Sequence, residues 1–530
     1  MLFNSWEFLF LCTLTIALYY LPFRGHARKI WQVGLLLATS AVFYAWGNPK
    51  LLILLSASCL LNAIAVERIL FWKNKAKLDR VHVGVTRPAR QRAKHWLIAT
   101  VALNLGFLAF FKYSGFFVSI LPASFLAESV RLWLQTIPLP VGISFYTFQG
   151  ISLVVDVWRN DISANTARSL SGRGRERVTA IRDVSFYVAF FPQLVAGPIV
   201  KAHEFVDQIG VKLFREIDWL TVRRCLVVGY FLKIFVADNL AEQTASLSLG
   251  AEHLIGLGPF NLLPLLYCYS LQIFADFAGY SLIAIGLGAV FGYKLPQNFN
   301  FPYLSTSITE FWRRWHLSLS TWLRDYLYFP LGGNRKGAGR TYFNLFLVMF
   351  LGGLWHGAAW KFALWGSLHG LFLALERLIS RNKSPESRIQ NPESRIQNPE
   401  SRIQNPEPRI QSPKSWFWPL VSGFSKWFLT FHLVTLLWLT FLMPDMASIA
   451  AFFKGLLNGK TDFSGPPLFS LFFYGSAVVL YHLWGLLNEY RKHLASKLAR
   501  SPIEPLLHGL LIFLVVTNPG APRGFIYFQF

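Results

Sequence analysis

Charged residues are scarce in this sequence. They make up 15% of its 530 residues, against about 25% in a soluble chain, and the shortage is uneven. Segments 5–22, 30–46, 51–66, 96–111, 225–237, 262–292, 343–375, 417–443, 467–487 and 505–517 are nearly free of charge. Several approach the ~20 residues that a helix needs to cross about 30 Å of hydrocarbon. The runs are continuous and lack the alternation of a membrane barrel. The pattern predicts an all-α, polytopic integral membrane protein with roughly ten to thirteen embedded helices, whose first partner is the lipid bilayer.

Cysteine is also rare. Cys12, Cys59, Cys225 and Cys268 lie apart in apolar segments without a CxxC pair, which argues against a disulfide framework or a metal cluster and for buried small hydrophobes. No HExxH or Cys/His spacing marks zinc, and no GxSxG marks a serine nucleophile. No metal and no tightly bound cofactor is expected.

Acidic residues are few: 27 Asp and Glu face 51 Lys and Arg, a net +24. In a soluble protein that balance suggests nucleic acid. Here the basic residues sit between apolar blocks, as cytoplasmic loops require, and no nucleic-acid partner is expected. Loop 23–29 carries Arg24, Arg28 and Lys29, whereas 47–50 holds one charge. The third loop holds Lys73, Lys75, Lys77, Arg80, Arg87, Arg90, Arg92 and Lys94 against Asp79. This alternation places the N-terminus outside. The first apolar run lacks a basic n-region and reads as a retained helix.

The organisation expected is one membrane domain over 1–530 with polar loop insertions at 163–183 and 381–414. The second insertion contains a four-fold heptapeptide repeat over 384–411, SPESRIQ to NPEPRIQ. Its recurring Pro385, Pro392, Pro399 and Pro406 forbid a continuous helix, and one Ile per unit is too little apolar surface to offset ordering. Between 138 and 200, Pro138, Pro140, Pro192 and Pro198 interrupt apolar runs. Broken backbone at membrane depth belongs in a re-entrant element or cavity wall.

The densest polar cluster is 305–337, STSITEFWRRWHLSLSTWLRDYLYFPLGGNRKG. Thr306 or Ser307 suits an N-cap, and the pattern from Phe311 to Tyr328 predicts an amphipathic helix stopped by Pro330 and Gly332-Gly333. His316 and Ser320 share a face of it. The second cluster, LGGLWHGAAWKFALWGSLHG over 351–370, sets His356 among small residues with Trp355, Trp360 and Trp365 as flat walls. His369, thirteen residues on, points elsewhere on an ideal helix. Asp276 is the clearest buried carboxylate, and a structural ion pair and a role orienting a histidine both remain open for it. Asp276, Arg313, Arg314, Ser320, Arg324 and Asp325 are the candidate supporting or pathway-lining residues. Two histidines without a metal-ligand pattern suggest proton transfer to and from a reacting hydroxyl.

The runs PVGISFYTFQGIS, FFPQLVAGPIV, LQIFADFAGYSLIAIGLG, SITEFWRRWHLSLSTWLRDYLYFPLGGNRKG, GGLWHGAAW and FIYFQF resemble the membrane-bound O-acyltransferase family, with the bacterial alginate O-acetyltransferase branch nearest. The resemblance covers nearly the whole chain outside the polar insertions. It implies a helical body around a transmembrane tunnel, with His316 and His356 as the active-site histidines. It also implies a cytoplasmic acyl-coenzyme A or related thioester donor, in a multi-pass protein of the bacterial inner membrane. The acyl group is expected to pass to an extracytoplasmic acetyltransferase- or esterase-like partner and so, indirectly, to alginate or another envelope polysaccharide. Tyr527, in the terminal FIYFQF, is a candidate partner contact. The alternatives are a transporter or flippase of an acyl or lipid-linked cargo, and an envelope scaffold without chemistry.

Overall fold

In hydrocarbon a backbone must satisfy its own hydrogen bonds, and a chain with these apolar runs does so as helices. A computed structural model of the chain describes all residues except 83–86, 172–174, 196, 384–416, 459, 461–464 and 527–530. The described residues are helical and connecting segments, with no strand among them. Among the described residues, six helices are long and apolar enough to cross a membrane: Leu51–Arg80, Arg87–Ile120, Pro259–Val290, Trp360–Ser380, Ser422–Leu442 and Gly465–Tyr490. The pair Lys492–Ala499 and Ile503–Thr517, bent by 70°, would add a seventh. Other apolar runs form shorter or interrupted helices, such as Trp6–Tyr19 and Met446–Leu457.

The helix Pro259–Val290 is the core, with 83% of its most apolar window buried by protein. The helix Arg87–Ile120 buries 17% of its window and turns the rest outward. Exposed side chains such as Ile53, Phe107, Phe428 and Phe472 form the apolar surface that lipid would cover.

Small residues set the tightest crossing. The helices Gly337–His356 and Trp360–Lys383 pack so closely that a Cβ on Gly353 would lie 2.2 Å from the Phe362 carbonyl oxygen, and one on Gly366 would lie 2.2 Å from that of Met349. Any side chain there forces the helices apart.

Two sequence expectations change. The basic stretch 73–94 is largely helix rather than loop: Leu51–His82 and Arg87–Ile120 run through it, on either side of residues 83–86. The Lys73 ammonium holds the carbonyls of Val157 (2.6 Å) and Trp158 (2.9 Å), so part of this charge closes the end of the helix Ile143–Arg159. The stretch 163–183 is helical too, in Ala164–Leu170 and Arg175–Ala189. Its polar side chains mislead because Leu170 and Ala180 still bury against the core. The repeat 384–411 lies outside the described residues.

The proline-interrupted region behaves as its composition requires. Gly142 adopts φ +76°, where a Cβ would meet the Leu194 carbonyl oxygen at 2.6 Å. The non-helical backbone near 200 is covered by protein: Tyr187 donates to the Val200 carbonyl (2.8 Å) and the Ile199 N–H donates to Ser318 Oγ (3.0 Å).

Candidate active site

The motif predicted as one helix is three pieces. Ser307 caps the first, Ile308–Trp312, by accepting from the Glu310 N–H (3.0 Å), while the Glu310 carboxylate accepts from Thr306 (2.9 Å), a reciprocal cap. The chain then turns. His316 takes φ 43°, ψ 55°, in the left-handed region, as the N-cap of Leu317–Leu323. A π-helical stretch, Arg324–Tyr328, follows. A helical wheel drawn through 311–328 therefore fails at the turn: Ser320 follows His316 by one turn, its N–H donating to the His316 carbonyl (3.0 Å), but His316 itself departs from the helical conformation.

The left-handed His316 is held from both sides. The Asn298 carbonyl accepts from the Leu317 N–H (2.9 Å), and its side-chain oxygen accepts from Ser318 Oγ (2.9 Å). The Asn300 N–H donates to the Arg314 carbonyl (2.9 Å). Such a conformation costs of order 1–3 kcal/mol and persists only where the surroundings impose it. The turned residue is fully buried, with its ring 4.6 Å from that of Phe277.

His356 is the last residue of its helix, not a mid-helix residue as its small, apolar neighbours suggested. Gly357 leaves the helix in an extended conformation, and a Cβ there would lie 2.0 Å from the Phe362 ring. The terminal carbonyls need donors. Tyr113 donates to Leu354 (2.7 Å), and the Lys112 ammonium donates to Trp355, to His356 (3.0 Å) and to Ser144 Oγ (3.3 Å). A cation at a helix C-terminus also complements the dipole.

These two arrangements bring the histidines together. The ring centroids of His316 and His356 are 6.3 Å apart, and both residues are buried. Trp355 (5.0 Å), Trp365 (5.3 Å) and Phe441 (5.3 Å) surround His356. His369 is nearer than predicted. The chain breaks after His356 and restarts at Trp360, so the thirteen-residue angle does not apply. It accepts a hydrogen bond from Trp312 Nε1 (3.2 Å) and packs on Trp365 at 4.7 Å, tying the piece before His316 to the wall of His356.

The remaining predicted residues lie elsewhere. Arg313 is exposed. Arg314 pairs with Glu310 (2.8 Å) and Glu489 (3.1 Å). Ser320 Oγ donates to the Trp315 carbonyl (3.4 Å). Asp325 joins Lys201 and Arg324, each at 2.7 Å. Among the described residues Asp276 hydrogen-bonds to no histidine and pairs with no arginine. Its partner is Lys233 (2.7 Å), which also binds Asp238 (2.7 Å) from the π-helical stretch Phe231–Ala237. Its second oxygen accepts from the Ile526 N–H (2.7 Å). Tyr527 lies outside the described residues.

The sequence reading passed over Lys112 and Lys233. Each is an isolated lysine in an apolar run, which is itself a signal because intramembrane charges are costly. It also passed over His203, whose ring bonds Asp156 (2.9 Å) while Tyr326 donates to the other Asp156 oxygen (2.6 Å). That hydrogen bond to Asp156 raises the His203 pKa above its ordinary value, against a smaller opposing effect of burial.

The family described as MBOAT, membrane-bound O-acyltransferase family, matches residues 94–397. Among similar proteins is a probable alginate O-acetylase of Pseudomonas putida, 39% identical over 393 residues that cover 73% of each chain. A peptidoglycan O-acetyltransferase of Helicobacter pylori is 34% identical over 72% of this chain and 71% of its own. A teichoic acid D-alanyltransferase of Bacillus subtilis is 30% identical over 44% of this chain and 58% of its own.

Proposed function

This chain belongs to the membrane-bound O-acyltransferase family and is an O-acyltransferase, and from that premise we propose that His316 and His356 form its reaction centre in the O-acetylation of a cell-envelope polysaccharide. The convergence of the two buried imidazoles at 6.3 Å carries the reading. The names of the relatives support an acetyl group and an envelope polymer. The donor is a cytoplasmic acyl-coenzyme A or related thioester. The acceptor hydroxyl comes from the other side, with an extracytoplasmic acetyltransferase-like protein completing delivery to alginate or a similar polysaccharide.

In the step itself, neutral His356 accepts the proton of the acceptor hydroxyl as its oxygen bonds to the thioester carbonyl carbon. His316 donates a hydrogen bond to the developing oxyanion. The tetrahedral species then expels the thiolate, which recovers the proton from the His356 imidazolium, giving ester and free thiol. General-base catalysis of this kind contributes roughly 10²–10⁴-fold, and a fixed donor at the oxyanion adds about 10²–10³-fold.

Helix lengths favour an acceptor from the non-basic side. From Lys94 to Lys112 the helix advances about 27 Å (18 residues at about 1.5 Å). From the basic GGNRKG element, the helix Gly337–His356 advances about 30 Å over its 20 residues. By the positive-inside rule the basic ends and the donor are cytoplasmic and the N-terminus is outside, in a bacterial inner membrane.

The test uses purified chain in liposomes with a labelled acetyl thioester and acceptor. Wild type releases thiol and labels the acceptor, while His356→Ala loses at least about 10²-fold at normal membrane insertion. Transfer at the wild-type rate by both His316→Ala and His356→Ala overturns the assignment, and an intact thioester with moved cargo signals transport.

A further inference from the structure

One polar cavity lies outside the histidine centre. The helix Pro259–Val290 contributes Tyr269, Gln272 and Asp276, at i, i+3 and i+7, which share one face. The facing segment contributes Lys233, Asp238 and Thr244, and the tail near Arg523 closes the third side. The volume is about 100 Å³, several times the ~10–15 Å³ that one water needs. Ala245, Ser248 and Gly524, at its rim, are exposed.

Two of its groups lack partners. Asp238 and Tyr269 are each 1% exposed, and among the described residues neither Asp238 Oδ2 nor the Tyr269 hydroxyl has a hydrogen-bond partner. Buried polar atoms left this way are costly unless a ligand or water meets them. Asp238 Oδ1 and Asp276 Oδ1 are already satisfied by Lys233, and Asp276 Oδ2 by the Ile526 N–H. The free capacity is thus an anionic acceptor and a phenol, beside the Arg523 side chain.

The lining charges balance: Lys233 and Arg523 against Asp238 and Asp276. A phosphate or nucleotide would face two carboxylates. A group offering several hydroxyls meets every requirement, donating to Asp238 and accepting from Tyr269 or Arg523. The cavity also adjoins the reaction centre. Phe277, next to Asp276, packs on His316 at 4.6 Å and on Phe525 at 5.3 Å. Leu442 lines the cavity, and its neighbour Phe441 packs on His356 at 5.3 Å. A layer of phenylalanines separates the two. Leu2, Phe3 and Asn4 line an adjoining hollow that shares Lys233 and Arg523, so the cavity sits at the end of the body where the chain begins.

We propose that this cavity is an acceptor-side subsite that binds carbohydrate hydroxyl groups through Asp238 and Tyr269, a reading that rests on the acyl-transfer assignment for its purpose though not for its chemistry. The test is equilibrium binding by the purified full chain in detergent, with a neutral hexose trisaccharide and a uronate trisaccharide as probes and no acyl donor present. Saturable binding by wild type is expected, weakened about tenfold or more in Asp238→Asn and Tyr269→Phe. Ala245→Trp, at the exposed rim, blocks the mouth without touching the buried charges and should abolish binding while the chain stays monodisperse. Absence of binding in wild type, or equal binding by Ala245→Trp, overturns the subsite and marks the cavity as water-filled only. Because no chemistry is measured, saccharide binding in a chain that transfers no acetyl would leave the subsite standing and remove the acyl-transfer reading of the histidines instead.

Discussion

The Lys112 ammonium lies 3.0 Å from the carbonyl oxygen of His356. A cation on one helix thus closes the end of another at the residue assigned to proton transfer. The helix terminus fixes where that imidazole stands, and Lys112 fixes the terminus. Lys112→Met leaves the Trp355 and His356 carbonyls without this donor, at an expected cost of about 1–3 kcal/mol. Thermal unfolding in detergent should show the loss, and the initial transfer rate should fall with it. Lys112→Arg, which keeps a donor and a charge, should recover part of both. A wild-type melting point and rate in Lys112→Met would sink the idea.

His316 is a left-handed residue as well as a proposed hydrogen-bond donor, and substitutions can separate the two. Asparagine tolerates that conformation, whereas a β-branched residue does not. His316→Asn and His316→Val should both lose transfer, but His316→Val should unfold earlier by about 1–2 kcal/mol. Equal stability of the pair would mean that the surroundings do not enforce the turn.

Lys233 binds two buried carboxylates. Removing it alone leaves both uncompensated. Lys233→Met should therefore cost about 3–5 kcal/mol. The triple variant that also carries Asp238→Asn and Asp276→Asn should be more stable than Lys233→Met. Melting temperatures in one detergent decide this, and a triple variant less stable than the single would refute it.

His203 gives a pH dependence whose sign follows from its raised pKa. Below about pH 6.5 the imidazole is charged in the folded and unfolded chain alike, so its pairing with Asp156 stabilises in full. As pH rises through the higher folded value, the proton is lost and the contribution disappears. The melting-temperature gap between wild type and His203→Gln should be widest at mildly acidic pH and close toward alkaline pH. A constant gap would show that the pair does not titrate as described.

The histidine pair was legible in the sequence through local context: His316 beside two arginines and two tryptophans, His356 beside glycines. Its supporting residues were less so. Arg314 and Asp325 read as part of the site because they adjoin His316 in the chain. In the structure they serve ion pairs with Glu489 and Lys201, since the backbone turns at His316 and sends neighbouring side chains apart. Asp276 read equally as a member of a structural ion pair or as the orienter of a histidine; the ion pair is what forms, and its cation comes from Lys233, 43 residues earlier.

By itself the sequence determined the solvent and the class of fold. Long uncharged runs exclude water, hydrocarbon excludes unpaired backbone, and helices follow. It also pointed to His316 and His356 as the candidates for chemistry, because ionisable groups in apolar runs are costly without a purpose. The tertiary structure alone decided where helices end and which ends meet. Those outcomes depend on contacts between distant segments: Asn298 imposing the turn at His316, Lys112 terminating the helix at His356, and Gly353 letting two helices close on each other. Periodicity along a single run carries no record of them.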